Sequence, residues 1–210
     1  MTPEYTLNVD LNSRVKNSPR YNADSVGEYF KSSQLDWWKP TNQEYIDQEN
    51  IIDSWLKGKT FSRGLEIGPG FGRITNLIAP NTKQLVLVEI NQRANRHLHH
   101  NYPLATIVDT NVDNFDLWKG KYDLIAAIEI LVHIPNILAL LDVVAESLED
   151  NGMFITSITP KELYGNTYTV IHRGIDPEEF EQSLVERELH VIIKTPIGHH
   201  ITYCITKQKS

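Results

Sequence analysis

Residues 64 to 73 read Gly-Leu-Glu-Ile-Gly-Pro-Gly-Phe-Gly-Arg, and this stretch combines three features suited to ligand chemistry. An apolar run from Phe61 to Ile67 carries a carboxylate, Glu66, close to its end. Gly68, Gly70 and Gly72 follow at once, and then a helix-like stretch from Arg73 to Ala79. A buried strand, a tight turn and a helix start place unpaired N–H groups beside a backbone that a ligand can approach closely. A carboxylate beside that turn would repel a pyrophosphate and could hold an ammonium group. Further acids recur at the ends of later apolar runs. Glu89 closes Leu85-Val86-Leu87-Val88, Asp109 closes Ala105 to Val108, and Glu129 closes Tyr122 to Ile128. An acid about 20 residues beyond a glycine loop is placed to accept two hydrogen bonds from ribose hydroxyls.

Two nucleotide-binding patterns compete for this spacing. The dinucleotide fingerprint is Gly-x-Gly-x-x-Gly. Here the third glycine arrives one residue early, at Gly72, and Arg73 occupies the place of the fingerprint's last small residue. That disfavours a nucleotide-dependent oxidoreductase. Taken alone, the loop also fits a plain strand-to-helix turn. Glu66-x-Gly68-x-Gly70-x-Gly72, followed by Glu89 and Asp109, resembles the first motifs of class I S-adenosylmethionine-dependent methyltransferases. The resemblance extends over residues 42 to 206. It implies an α/β fold, a three-layer Rossmann-like arrangement with a seven-stranded sheet, mostly parallel with an antiparallel last strand, and helices on both faces.

The same resemblance implies an S-adenosyl-L-methionine site built from Glu66, Gly68, Gly70, Gly72, Glu89, Ile90, Asp109, Thr110 and Glu129, with Asp109 accepting from the adenine amino group. It implies methyl transfer to an oxygen or nitrogen of a small molecule. Acceptors on a peptide or protein, and a non-catalytic cofactor-binding role, are the alternatives.

Methyl transfer needs an oriented nucleophile and, for a hydroxyl or protonated amine, removal of a proton. His133, in Glu129-Ile130-Leu131-Val132-His133, is the candidate base, since an unperturbed imidazole titrates near neutral pH. It equally suits support of the following helix. Glu129 and His133 share a face if the turn is helical. The segment looks like the Glu-x-x-Glu-His stretch of metal-assisted O-methyltransferases. Val132 replaces the second glutamate, so no metal is expected. His172 is a second catalytic candidate in a loop before the last helix, where a plain surface histidine is the alternative. Tyr164 and Tyr168 belong to that loop and could line a pocket. Tyr29, Phe30, Trp37 and Trp38 could form a lid, or pack as an ordinary N-terminal arm.

The elements that must position these residues are legible from pattern. Residues 1–40 read as an arm or lid, partly disordered over 1–24, and 41–210 as the cofactor-binding domain. Thr41 and Glu44 form a capping box for an amphipathic helix that ends at Gly58. Pro80 stops the helix after the glycine loop. Asn91 to Asn101 is helical, with His97, His99 and His100 read as a solvated face. Pro135 starts a helix to Glu149, and Asp176 caps the last one. Met153 to Thr156, His190 to Thr195 and Ile201 to Thr206 are the remaining strands, the last two joined through Pro196-Ile197-Gly198.

The chain has 210 residues, 40% of them apolar, with a formal net charge of −7. One domain with an added segment fits that length. The acidic balance argues against a nucleic-acid surface. The single cysteine, Cys204, rules out an intrachain disulfide and suits a small buried residue. No apolar run reaches the length of a bilayer span, no signal-peptide core is present, and a cytoplasmic location without membrane contact is expected.

Overall fold

The structure, a computed structural model, describes residues 43–164 and 174–208. Within them the chain runs α1 (Gln43–Leu56), β1 (Phe61–Ile67), α2 (Thr75–Ile78), β2 (Thr82–Glu89), α3 (Gln92–Asn101), β3 (Thr106–Asp109), β4 (Tyr122–Ala127), α4 (Ile137–Ser147), β5 (Leu148–Ile158), α5 (Lys161–Tyr164), α6 (Pro177–Val185), β6 (Leu189–Ile197) and β7 (His200–Lys207). One seven-stranded sheet has the order β3-β2-β1-β4-β5-β7-β6. The first five strands pair in parallel, while β7 lies antiparallel to both β5 and β6.

The apolar runs become central strands because both faces of a parallel sheet are covered. Successive side chains alternate between two cores. Leu65, Ile67, Val86, Val88, Ile125 and Ala127 pack with α4 and α6 through Leu140, Leu141, Val144, Phe180 and Leu184. Leu85, Leu87, Leu124 and Ala126 pack with α1, the glycine-loop helix and α3 through Ile52, Leu56, Ile74, Ile78 and Leu98. Cys204 lies buried in this second core, and burial pushes its thiol up to about 11, as suits a packing residue.

Several boundaries differ from the sequence pattern for local reasons. The helix after the glycine loop shortens to one α-turn, because Pro80 enters a following 3-10 turn, Ala79–Asn81, at its start. Pro135 lies outside α4. Asn136 is the N-cap, its side chain accepting from the Ala139 N–H at 3.0 Å. Strand β5 begins at Leu148, earlier than the apolar run indicates, and shifts register between its Leu148 and Met153 pairings. Asn151 takes φ 61° there. Asn91 and Asp176 cap α3 and α6 as expected, each accepting two backbone N–H groups. Thr41 lies outside the described residues.

Candidate cofactor and acceptor site

Strand β1 is flanked by β2 on one side and β4 on the other, so the chain reverses its winding direction at β1. Open α/β sheets bind ligands at the carboxyl ends of the strands beside such a reversal. The register brings those ends level: Ile67 pairs with Val88, and Glu89 with Asp109. The glycine loop, Glu89, Asp109, Thr110 and Glu129 therefore gather on one sheet edge.

Gly70 has φ 55°, and a Cβ built on it would meet no atom within 4 Å. The backbone there borders open space, as a ligand cradle requires. By contrast, a Cβ on Gly68 would meet the Ile130 side chain at 2.8 Å, so that glycine serves packing between the loop and the end of β4. Phe71 is pinned from α3: the His97 ring lies 5.5 Å away, edge-on, and the Arg93 guanidinium 5.5 Å from the ring centroid. His97 thus supports the loop, whereas His99 and His100 are exposed.

Glu89 is buried and accepts three backbone hydrogen bonds. Its Oε2 accepts from Gly70 N–H at 2.9 Å, and its Oε1 from Ile90 and Asn91 N–H at 2.8 and 2.7 Å. The carboxylate ties the glycine loop to the end of β2 while retaining lone pairs for further donors. Burial raises its pKa, and the three N–H groups oppose that shift. Asp109 is exposed beside it. Thr110 is buried, accepting from the Asn114 amide through Oγ1 at 2.7 Å.

Glu66 sits on the sheet face that packs under α1 and α2, paired with Leu87 and Ala126. It is 3% exposed and accepts one side-chain bond, from Thr75 Oγ1 at 2.6 Å. Burial pushes its carboxyl from 4.5 to about 7; the Thr75 bond and the Arg73 charge pull the other way.

Glu129 takes φ 60°, a left-handed conformation that costs a non-glycine residue about 1–2 kcal/mol. Its N–H donates to Ser157 Oγ at 2.8 Å. The strain breaks the expected helical turn: only Leu131–His133 winds, as a 3-10 turn, so Glu129 and His133 are not on one helix face. The Glu129 carboxylate turns instead toward α1 and β7. Oε1 accepts from Gln48 Nε2 at 3.1 Å, and Oε2 lies 3.2 Å from His200 Nε2. Beyond these, Thr159 Oγ1 is 3.0 Å from His200 Nδ1, and Arg73 donates to Gln48 Oε1 at 2.6 Å. Tyr45 stacks against His200, its ring centroid 6.5 Å away, and carries the Arg73 guanidinium 4.9 Å from its own centroid.

Sequence pattern missed Gln48, Thr159 and His200. Gln48 had a signal, since it falls on the apolar stripe of α1 with Ile52, Trp55 and Leu56 and is 1% exposed. A buried amide on such a stripe needs a partner. His200 had none. His172, Tyr168, Tyr29, Phe30, Trp37 and Trp38 lie outside the described residues, and Tyr164 ends α5 with no described side chain. Among the described residues no group of three His, Cys, Asp or Glu side chains is placed to hold a metal, and no helix is long and apolar enough to cross a membrane.

Residues 41–189 match the methyltransferase-domain family. The chain belongs to the class I S-adenosylmethionine-dependent methyltransferases. S-Adenosylmethionine is the cofactor of this family, and the described site fits it: open backbone at Gly70, a strand-end carboxylate at Glu89, a second at Asp109. In sequence the chain is similar to ribosomal RNA small subunit methyltransferase A of Malacoplasma penetrans, at 33% identity over 45% of this chain and 36% of that protein. The same enzyme of Alkaliphilus oremlandii is 30% identical over 49% of this chain and 36% of its own length. The chain thus spans about a third of the curated relatives it matches. In fold it is similar to the N-methyltransferase NodS of Bradyrhizobium japonicum solved with S-adenosyl-L-homocysteine, with TM-score 0.72 and 18% identity over 90% of this chain and 100% of that one. The magnesium protoporphyrin IX methyltransferase of Synechocystis, also solved with S-adenosyl-L-homocysteine, gives TM-score 0.67 and 13% identity over 89% and 99%.

Proposed function

We propose that this methyltransferase acts on an oxygen or nitrogen of a small molecule. When bound, the sulfonium supplies an activated methyl group and a thioether leaving group. The chain's own residues then hold and orient. In this reading Gly70 and the loop backbone approach the aminoacyl end. Glu89 accepts ribose hydroxyls, with Ile90 and Asn91 N–H groups fixing its carboxylate, and Asp109 and Thr110 flank the adenine. Glu129 and His133 face the acceptor. His133 is the base for a hydroxyl acceptor; a neutral amine needs none.

The observation that carries the cofactor assignment is the juxtaposition of Gly70 and Glu89, joined by a 2.9 Å hydrogen bond at the point where the sheet reverses. The small-molecule assignment rests on the acidic charge of −7, which offers no broad phosphate-binding surface. Similarity to ribosomal RNA methyltransferases supports a second reading, methylation of a nucleic acid, although it covers less than half of this chain. Calorimetry with S-adenosyl-L-homocysteine, with NAD as control, tests the cofactor. Transfer of labelled methyl to amine, phenol and carboxylate panels, with ribosomal RNA alongside, tests the acceptor. Labelling of the RNA and of no small molecule would establish the second reading.

A further inference from the structure

Resting on the methyl-transfer reading, the geometry points to a new role for His200: we propose that it positions Glu129 as the subsite that takes the ammonium group of an amine methyl acceptor.

Four elements remote in sequence converge there. Gln48 comes from α1, Glu129 from the end of β4, Thr159 from the end of β5 and His200 from the start of β7. An ionised carboxylate only accepts hydrogen bonds, so His200 Nε2, 3.2 Å from Glu129 Oε2, carries a hydrogen. In the neutral ring Nδ1 then accepts from the Thr159 hydroxyl at 3.0 Å. Thr159, His200 and Glu129 thus form a continuous chain of bonds. On the other oxygen, Gln48 donates a neutral amide bond at 3.1 Å, and its own carbonyl is occupied by Arg73. Gln48 also reaches Thr202 Oγ1 at 3.1 Å, which fixes the amide from a second side.

Glu129 is therefore oriented through both oxygens, by the Gln48 amide on one and the His200 ring on the other. The Arg73 guanidinium goes to Gln48, Glu49 and the Tyr45 ring. A carboxylate held rigidly, negative and 24% exposed on the ligand-binding sheet edge complements a cation. The strained φ of 60° at Glu129, stabilised by Ser157, is what aims it away from the helical path toward this cluster. Tyr45 adds an aromatic ring against His200, a surface that also favours ammonium groups.

An ammonium at Glu129 has two sources, the acceptor or the aminoacyl end of the cofactor. Fluorine NMR of fluoropropylammonium, with fluoropropanol and fluoropropionate as controls, separates them on the full chain with and without saturating S-adenosyl-L-homocysteine. The proposal expects saturable broadening of the ammonium probe alone, retained in the S-adenosyl-L-homocysteine complex and abolished by Glu129→Gln. His200→Ala should weaken the probe by about tenfold, the scale of one charge-assisted hydrogen bond. His200→Gln, which can still donate to Glu129 and accept from Thr159, should restore most of the affinity. Thermal unfolding of each variant reports the fold independently. Four results overturn the proposal: displacement of the probe by S-adenosyl-L-homocysteine, equal binding of the alcohol, no saturable broadening by the ammonium probe, or unchanged affinity in folded His200→Ala. Failure of S-adenosyl-L-homocysteine to bind would instead defeat the methyl-transfer reading, and the probe would still read the subsite on the free chain.

Discussion

Glu89 and Glu129 are both strand-end carboxylates on one sheet edge, yet different parts of the chain hold them. Glu89 is gripped by backbone: Gly70, Ile90 and Asn91 donate N–H groups, two of them from its immediate neighbours. Glu129 is gripped by side chains, from Gln48 and His200, on elements far away in sequence. The first arrangement follows from a strand, a glycine loop and a helix start in succession. The second exists only once α1 and the β6–β7 hairpin have docked beside β4 and β5. The Glu89 setting is thus made by backbone groups of β2's end and the glycine loop. The Glu129 setting depends on long-range packing.

Substitutions can break this contrast at several strengths. Gly70→Val should have the largest effect. A branched side chain would fill the open space over the loop, abolishing S-adenosyl-L-homocysteine binding by calorimetry, while the chain loses only about 1–2 kcal/mol of stability from the positive φ. Wild-type affinity in that variant would move the ligand away from the loop.

Glu66→Gln acts through pH. Burial raises the Glu66 carboxyl from 4.5 to about 7, so the folded state holds its proton more tightly than the unfolded chain does. The stability tied to that proton is fully present below about 4.5 and is lost as pH rises through about 7, a loss of ~3 kcal/mol. Thermal unfolding across that window should show a decline in the parent that the glutamine variant largely removes. Parallel curves would mean that Glu66 keeps an ordinary carboxylate range.

His133→Ala should leave cofactor affinity intact and lower turnover of a hydroxyl acceptor by about a hundredfold, with loss of the alkaline-rising limb of the rate profile. With an amine acceptor held at Glu129 the same variant should stay active, because the Glu129 carboxylate takes the ammonium proton and frees the nitrogen lone pair before transfer. Smallest is Glu89→Ala, which should weaken S-adenosyl-L-homocysteine by at least about tenfold. It should also lower the unfolding temperature, because Gly70, Ile90 and Asn91 lose their acceptor. Unchanged affinity would remove Glu89 from the ribose.

Much of the first half of the molecule was legible from residue order. Apolar runs marked all seven strands, most plainly the central parallel ones, which are buried on both faces, whereas the edge strands β3 and β6 are largely exposed; the acids closing β2 and β3 marked where the runs meet the edge. Boundaries were less legible. Pro80 and Pro135 carry the helix-stop and helix-start signals, but Pro80 opens a 3-10 turn and Asn136 takes the cap. In the second half, Glu129 and His133 read as an i, i+4 pair only if the backbone is helical, and a single left-handed residue removes that relation.

The sequence by itself determined the family, the strands and the glycine-loop motif, since each is written in a short run of residues. Only the tertiary structure decided what Glu129 touches. Gln48 and Thr202 bond across a separation of 154 residues, and Glu129 meets His200 across roughly half that span. No periodicity encodes such a meeting. It follows from the order in which strands are laid into the sheet, which sets β7 beside β5 and brings the start of one to the end of the other.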